Sequence, residues 1–127
     1  MGAGLALQVR KLYPQVYRSY IDAGDRSCWK PRFLLGTSDI VKITDELLIA
    51  NAFIQEEFGP GDKKYVSYDA INDCFAGIKH LALETGLPVK YPRIGAGLAG
   101  GNWDIISTII SANLPLEIEQ TLFVMWS

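Results

Sequence analysis

This chain has no basic excess, no histidine cluster, no paired cysteines and no long apolar run, and each absence narrows what it can do. Its 12 basic side chains are outnumbered by 14 acidic ones, for a net charge of −2. General nucleic-acid and membrane surfaces need a basic excess, so neither is an expected partner. The single histidine is His80, and the two cysteines, Cys28 and Cys74, lack C-x-x-C spacing. That argues against a zinc site, and the cysteines read as free thiols of a reducing cytoplasm. No metal and no cofactor is expected. No apolar run is long enough to span a bilayer, and the start lacks a signal-peptide layout. With 127 residues, 49% hydrophobic and 20% charged, the expectation is one folded domain over 1–127.

What the chain does have is a repeat. Gly-Ala-Gly-Leu-Ala occurs at 2–6 and again at 95–99, each time opening into a helix-like stretch. Small residues ahead of a helix leave its first N–H groups approachable, and the helix dipole adds positive potential there. Such a loop can hold phosphate without a Lys or Arg. Two of them suggest a ligand with two phosphates, or one long ligand gripped at both ends. The plainer reading is a pair of tight turns.

Apolar spacing predicts a helix over 4–13, broken by Pro14, then a second from Pro14 to about Gly24, read as a left-handed cap. Residues 26–36 are a connector. The β-rich runs 39–44 and 46–53 predict a hairpin turning at Thr44-Asp45. Residues 58–62 are a loop, and Lys63-Lys64 reads as solvated. Ser67 is positioned to cap a helix running to about Glu84, ended by Thr85-Gly86. A strand over 89–94, a helix over 103–112 capped by Asn102, and a last strand over 122–126 complete the chain. Alternating helices and strands in this half predict the α/β class, with one parallel βαβ crossover. Its crossover should be right-handed, and the ligand crevice should lie at the carboxyl end of the strand.

Residues 95–100 satisfy G-x-G-x-x-G between a strand and a helix, yet a Rossmann site is not the expectation. The motif lies late in the chain. Glu117 and Glu119 have the spacing of a ribose-binding carboxylate but precede the final strand. Too little chain remains for a second mononucleotide half. No Gly-Lys-Ser/Thr ending makes it a Walker loop.

Single residues read as follows. His80 shares the wet face of its helix with Asp73, Ala76 and Glu84, so it reads as a surface histidine. Asp104 suits the dipole of its helix's first turn. Asn102 reads as a cap able to reach a ligand. Asn51 stands in an apolar strand, either as a satisfied core amide or as a ribose contact.

The two Gly-rich loops, the α/β order and the block Tyr91-Pro92-Arg93-Ile94-Gly95-Ala96-Gly97-Leu98-Ala99-Gly100-Gly101-Asn102-Trp103 together resemble the macro domain family. The likeness is to members related to ADP-ribose 1″-phosphate phosphatase and to small ADP-ribosyl hydrolases. The start at 1–6 looks like that family's first phosphate loop, and 48–53 looks like its central strand. The resemblance implies a three-layer α/β/α sheet binding ADP-ribose in a surface cleft. Gly2, Ala3, Gly4 and Leu5, with Gly95, Ala96, Gly97, Leu98, Ala99 and Gly100, would wrap the diphosphate and distal ribose. Trp126 matches the position of an adenine-stacking aromatic, the alternative being a core or edge aromatic.

The sequence also departs from the family pattern. Family members carry two strands ahead of the first loop, about twenty residues with their connections. One of these sits between the strands read here at 46–53 and 89–94. The expectation is therefore an N-terminally truncated macro domain with unpaired sheet edges, the alternatives being a start assigned to an internal Met or a rearranged fold. A hydrolase subgroup uses a Lys on the central strand and an Asp after the Gly-x-Gly-Leu block, where this chain has Asn51 (or a neighbour) and Ala99. A covalent Lys mechanism is not expected, and no acid–base pair is identified. The function implied is binding of ADP-ribose or its 1″-phosphate, with hydrolysis of that phosphate ester. The alternatives are a reader without turnover, and a hydrolase removing ADP-ribose from a modified protein or nucleic acid.

Overall fold

The computed structural model describes residues 4–30, 34–55, 66–95 and 100–123, with the side chains of 4–6 and 123 left aside. Helix α1 covers Gly4–Leu12 and α2 covers Pro14–Arg26. They part at Tyr13, whose φ of −132° and ψ of 74° are non-helical, as a following proline demands. Pro14 then sits in the first turn of α2, where its missing N–H costs nothing. Arg10 joins the two helices by lying 3.9 Å from the centre of the Tyr17 ring.

The reading of Gly24 as a left-handed cap is corrected. Gly24 is a buried residue within α2, and a Cβ there would overlap the indole of Trp29. The helix ends two residues later, with the Ser27 hydroxyl donating to the carbonyls of Ala23 and Gly24 at 3.0 and 2.9 Å.

Strands β1 (Ser38–Thr44) and β2 (Leu47–Ala52) form the expected antiparallel hairpin, with Asp39 opposite Asn51 and Val41 opposite Ile49. The turn falls at Asp45 and Glu46, one residue beyond the expected place, and the Thr44 hydroxyl accepts from the Glu46 N–H at 3.2 Å. Helix α3 (Tyr68–Thr85) starts at Ser67, whose side chain accepts from the Ala70 N–H, and stops at Gly86 with φ 71°. Strand β3 (Val89–Pro92) is shorter than expected because Pro92 has no N–H to continue the ladder. Helix α4 (Trp103–Asn113) leads to β4 (Gln120–Phe123), which begins before the expected 122. β3 and β4 pair in parallel, Val89 with Gln120 through Pro92 with Phe123, so the predicted βαβ unit is present.

The hairpin lies between helices. Tyr20 of α2 stacks on Phe53 at 5.6 Å on one side, and the Cys74 thiol of α3 donates to the Thr37 carbonyl at 3.3 Å on the other. Ile71 of α3 and Ile106 and Ile110 of α4 are fully buried, joined by Val66, Phe75, Leu114 and Ile118. Each such side chain contributes about 1.5–3 kcal/mol relative to exposure. Among the described strands, no ladder joins the β1–β2 pair to the β3–β4 pair. No helix among the described residues is long and apolar enough to cross a membrane.

Candidate ligand site

The candidate site is built around the loop that joins β3 to α4. After β3 the chain turns through Gly95, whose φ is +74°. A side chain there would be strained by the backbone and would press on Val66 at 2.9 Å and Ile106 at 3.1 Å. The Gly101 N–H closes the loop by donating to the Gly95 carbonyl at 2.8 Å. A Cβ on Gly101 would collide with that same carbonyl oxygen.

The far end of the loop is pinned twice. The Asn102 side chain accepts from the Asp104 N–H at 2.9 Å, capping α4 as its sequence position predicted. The Asn102 N–H donates to the Tyr68 hydroxyl of α3 at 3.0 Å. Sequence reading missed Tyr68, since nothing local connects it to a loop 34 residues away. Asp104 occupies the first turn of α4 as expected. Arg93 lies 5.5 Å from the centre of the Trp103 ring, on the β3 side of the same loop.

Gly4 opens α1, and Leu5 follows within it. Gly100 has φ +74° and is exposed. Gly2, Ala3, Ala96, Gly97, Leu98, Ala99 and Trp126 lie outside the described residues, as do the loop at 58–62 and Lys63-Lys64.

Asn51 sits at the end of β2. Its Nδ2 is buried and has no hydrogen-bond partner, so the reading of a satisfied core amide is corrected. A buried amide left unpaired costs about 1–3 kcal/mol. Opposite it, Asp39 keeps its Oδ2 buried and equally without partner. Strand alternation alone gave no reason to single out Asp39. His80 is exposed on α3, and Cys74 is buried while Cys28 is exposed.

This is an α/β protein with a glycine-shaped strand–loop–helix junction at its strands' carboxyl ends. A macrodomain protein from Streptomyces coelicolor shares 30% identity, with a TM-score of 0.77 over 99% of this chain and 80% of that one. A crystal structure from Bacteroides thetaiotaomicron gives a TM-score of 0.85 at 26% identity, over 98% of this chain and 80% of the other. An uncharacterised 17.5 kDa protein from the tk-vs intergenic region of Enterobacteria phage T4 is 29% identical over 116 residues, 87% of this chain and 70% of that protein. No protein-family model matches. The chain belongs to the macrodomain family, and its fold is the α/β macrodomain fold.

Proposed function

We propose that this chain is an ADP-ribose-binding module that hydrolyses ADP-ribose 1″-phosphate. The observation that carries the reading is the junction after β3. Gly95 and Gly101 leave no room for side chains, and Asn102 fixes the first turn of α4. The N–H groups of Gly101, Asn102 and Asp104 are engaged within the junction, and the remaining N–H groups of the loop it frames would meet the oxygens of a diphosphate and stabilise charge that develops during ester hydrolysis. In this reading residues 2–5 and 95–100 embrace the diphosphate and distal ribose. Asn51 supplies an amide donor to the ribose, and Trp126 stacks on the adenine. A positioned water is the nucleophile.

The test is calorimetric titration with ADP-ribose beside a circular-dichroism melt. Micromolar binding by a cooperatively melting chain, abolished in Gly97→Val with its melt unchanged, is the expected result. A clean melt without binding overturns the reading. Phosphate release from ADP-ribose 1″-phosphate then separates the phosphatase from a reader.

The reader without turnover is favoured by the lack of an identified acid–base pair. By the resemblance, Asn51 (or a neighbour) and Ala99 take the places of the Lys and Asp of a hydrolase subgroup, so a covalent Lys mechanism is not part of the reading. Release of ADP-ribose from a modified protein or nucleic acid would point instead to the third role, with that macromolecule as partner.

A further inference from the structure

A cavity of about 460 Å³ lies between the last turn of α2 and the β1–β2 hairpin. Its apolar floor is Ala23, Leu34 and Phe53. Phe53 is held by the Tyr20 ring, and Tyr20 by the edge of Trp29 at 5.4 Å. The floor is therefore a braced aromatic surface rather than a loose side chain.

Two opposite charges face this space, Arg26 from α2 and Asp39 from β1. The ion pair found among the described residues is Lys42–Asp45, so Arg26 and Asp39 pair neither with each other nor with any other described residue. Asp39 also keeps Oδ2 buried without a hydrogen bond. A carboxylate in that state is costly unless something cationic or donating completes it.

Two of the three hydroxyls on the cavity wall are oriented, the third, Ser38 Oγ, being buried without a hydrogen-bond partner. Ser27 spends its proton on the carbonyls of Ala23 and Gly24, and Thr37 spends its own on the Leu34 carbonyl at 2.6 Å. Both oxygens are left as acceptors. With Asp39 they make three acceptor groups, matching the three donors of an ammonium. The cavity also adjoins the carboxyl end of α2, where the helix dipole favours positive charge. Arg26 is the odd member, a fork-shaped donor suited to a carboxylate.

We propose that this cavity is a second ligand site that takes a small zwitterion of amino-acid type. The ammonium meets Asp39, Ser27 and Thr37, the carboxylate meets Arg26, and an apolar side chain rests on Phe53 and Leu34. The site does not depend on the ADP-ribose reading.

Amide chemical shifts of the full chain would be followed during titration with L-phenylalanine, its amide and its N-acetyl form. The amide keeps only the ammonium, and the N-acetyl form keeps only the carboxylate. Saturable shifts at Ser27, Thr37 and Asp39, with L-phenylalanine bound about tenfold more tightly than either analogue, are expected. Arg26→Ala should lose about tenfold for the amino acid and leave the amide unaffected. Asp39→Asn should remove the advantage over the N-acetyl form, and Arg26→Ala should leave ADP-ribose affinity unchanged. Absence of saturable shifts in the folded parent overturns the proposal. Equal binding of all three compounds, or an Arg26→Ala variant that binds like the parent, overturns it as well.

Discussion

The indole of Trp29 lies directly on Gly24, one turn back along α2. The Trp29 N–H donates to the Gly24 carbonyl at 2.8 Å, and its Nε1 donates to Asp25 at 3.1 Å. Cys28 and Trp29 both have φ of 54° to allow this return. Alanine is about 1 kcal/mol better than glycine within a helix, so a helix scale alone makes Gly24→Ala stabilising. Overlap with the indole reverses the sign, and a loss of about 1–3 kcal/mol is expected in urea melts. In a Trp29→Gly background, where the indole is gone, the added cost of Gly24→Ala should disappear. A Gly24→Ala protein as stable as the parent would show that the indole does not rest there.

The Tyr68–Asn102 contact gives a second prediction. Tyr68→Phe removes the hydroxyl that accepts from the Asn102 N–H, at a net cost of about 0.5–1.5 kcal/mol. Asn102→Ala removes the α4 cap and should cost about 1 kcal/mol. Both changes loosen the junction after β3, so ADP-ribose affinity should fall by more than the melting temperature suggests. Affinity unchanged in both variants would place the ligand away from this loop.

The contrast between these residues shows what was legible in the sequence. Ser67, Asn102 and Gly86 were readable because caps are set within three or four residues of chain. Pro14 was readable for the same reason. The parallel β3–β4 pairing followed from the strand–helix–strand order. Gly24 misled because its role depends on Trp29 adopting a left-handed backbone, which bulky residues rarely do. Asp39 went unnoticed because its significance is its register against Asn51, a tertiary fact. Of the candidate site, the Gly95 and Asn102 ends carried local signals, whereas the Tyr68 contact spans two helices.

Alkaline pH should destabilise this protein in a way traceable to Cys74. Burial pushes its thiol above the ordinary value of 9.0, with a smaller push from Asp73, against the pull of Ser38 and Phe53. Burial likewise raises Tyr20 and Tyr91 above 10.0. A group whose folded pKa is raised binds its proton more tightly when folded. Its contribution is complete below the unfolded value and is lost as pH rises through the folded one. Melting temperature should therefore hold to about pH 9 and fall beyond it. Cys74→Ala should flatten the first part of that fall, leaving the tyrosine part. Identical pH profiles for parent and variant would rule Cys74 out.

The open edge of β2 makes the last prediction. The Phe53 N–H donates to the Thr37 carbonyl at 2.9 Å, which sets the alternation of the ladder. Asn51 opposite Asp39 and Ile49 opposite Val41 are then the hydrogen-bonded pairs, and the N–H groups of Leu48, Ala50 and Ala52 face away from β1. Among the described strands β2 pairs only with β1, so these three amides meet no ladder. In native-state hydrogen exchange they should lose protection well before Ile49 and Asn51, since exchange tracks local hydrogen bonding. Such an edge is also a template for another strand. Protection at Leu48, Ala50 and Ala52 that grows with protein concentration would mean that copies of the chain pair through β2. Protection equal to that of Ile49 in dilute protein would mean that a segment of the same chain already covers the edge.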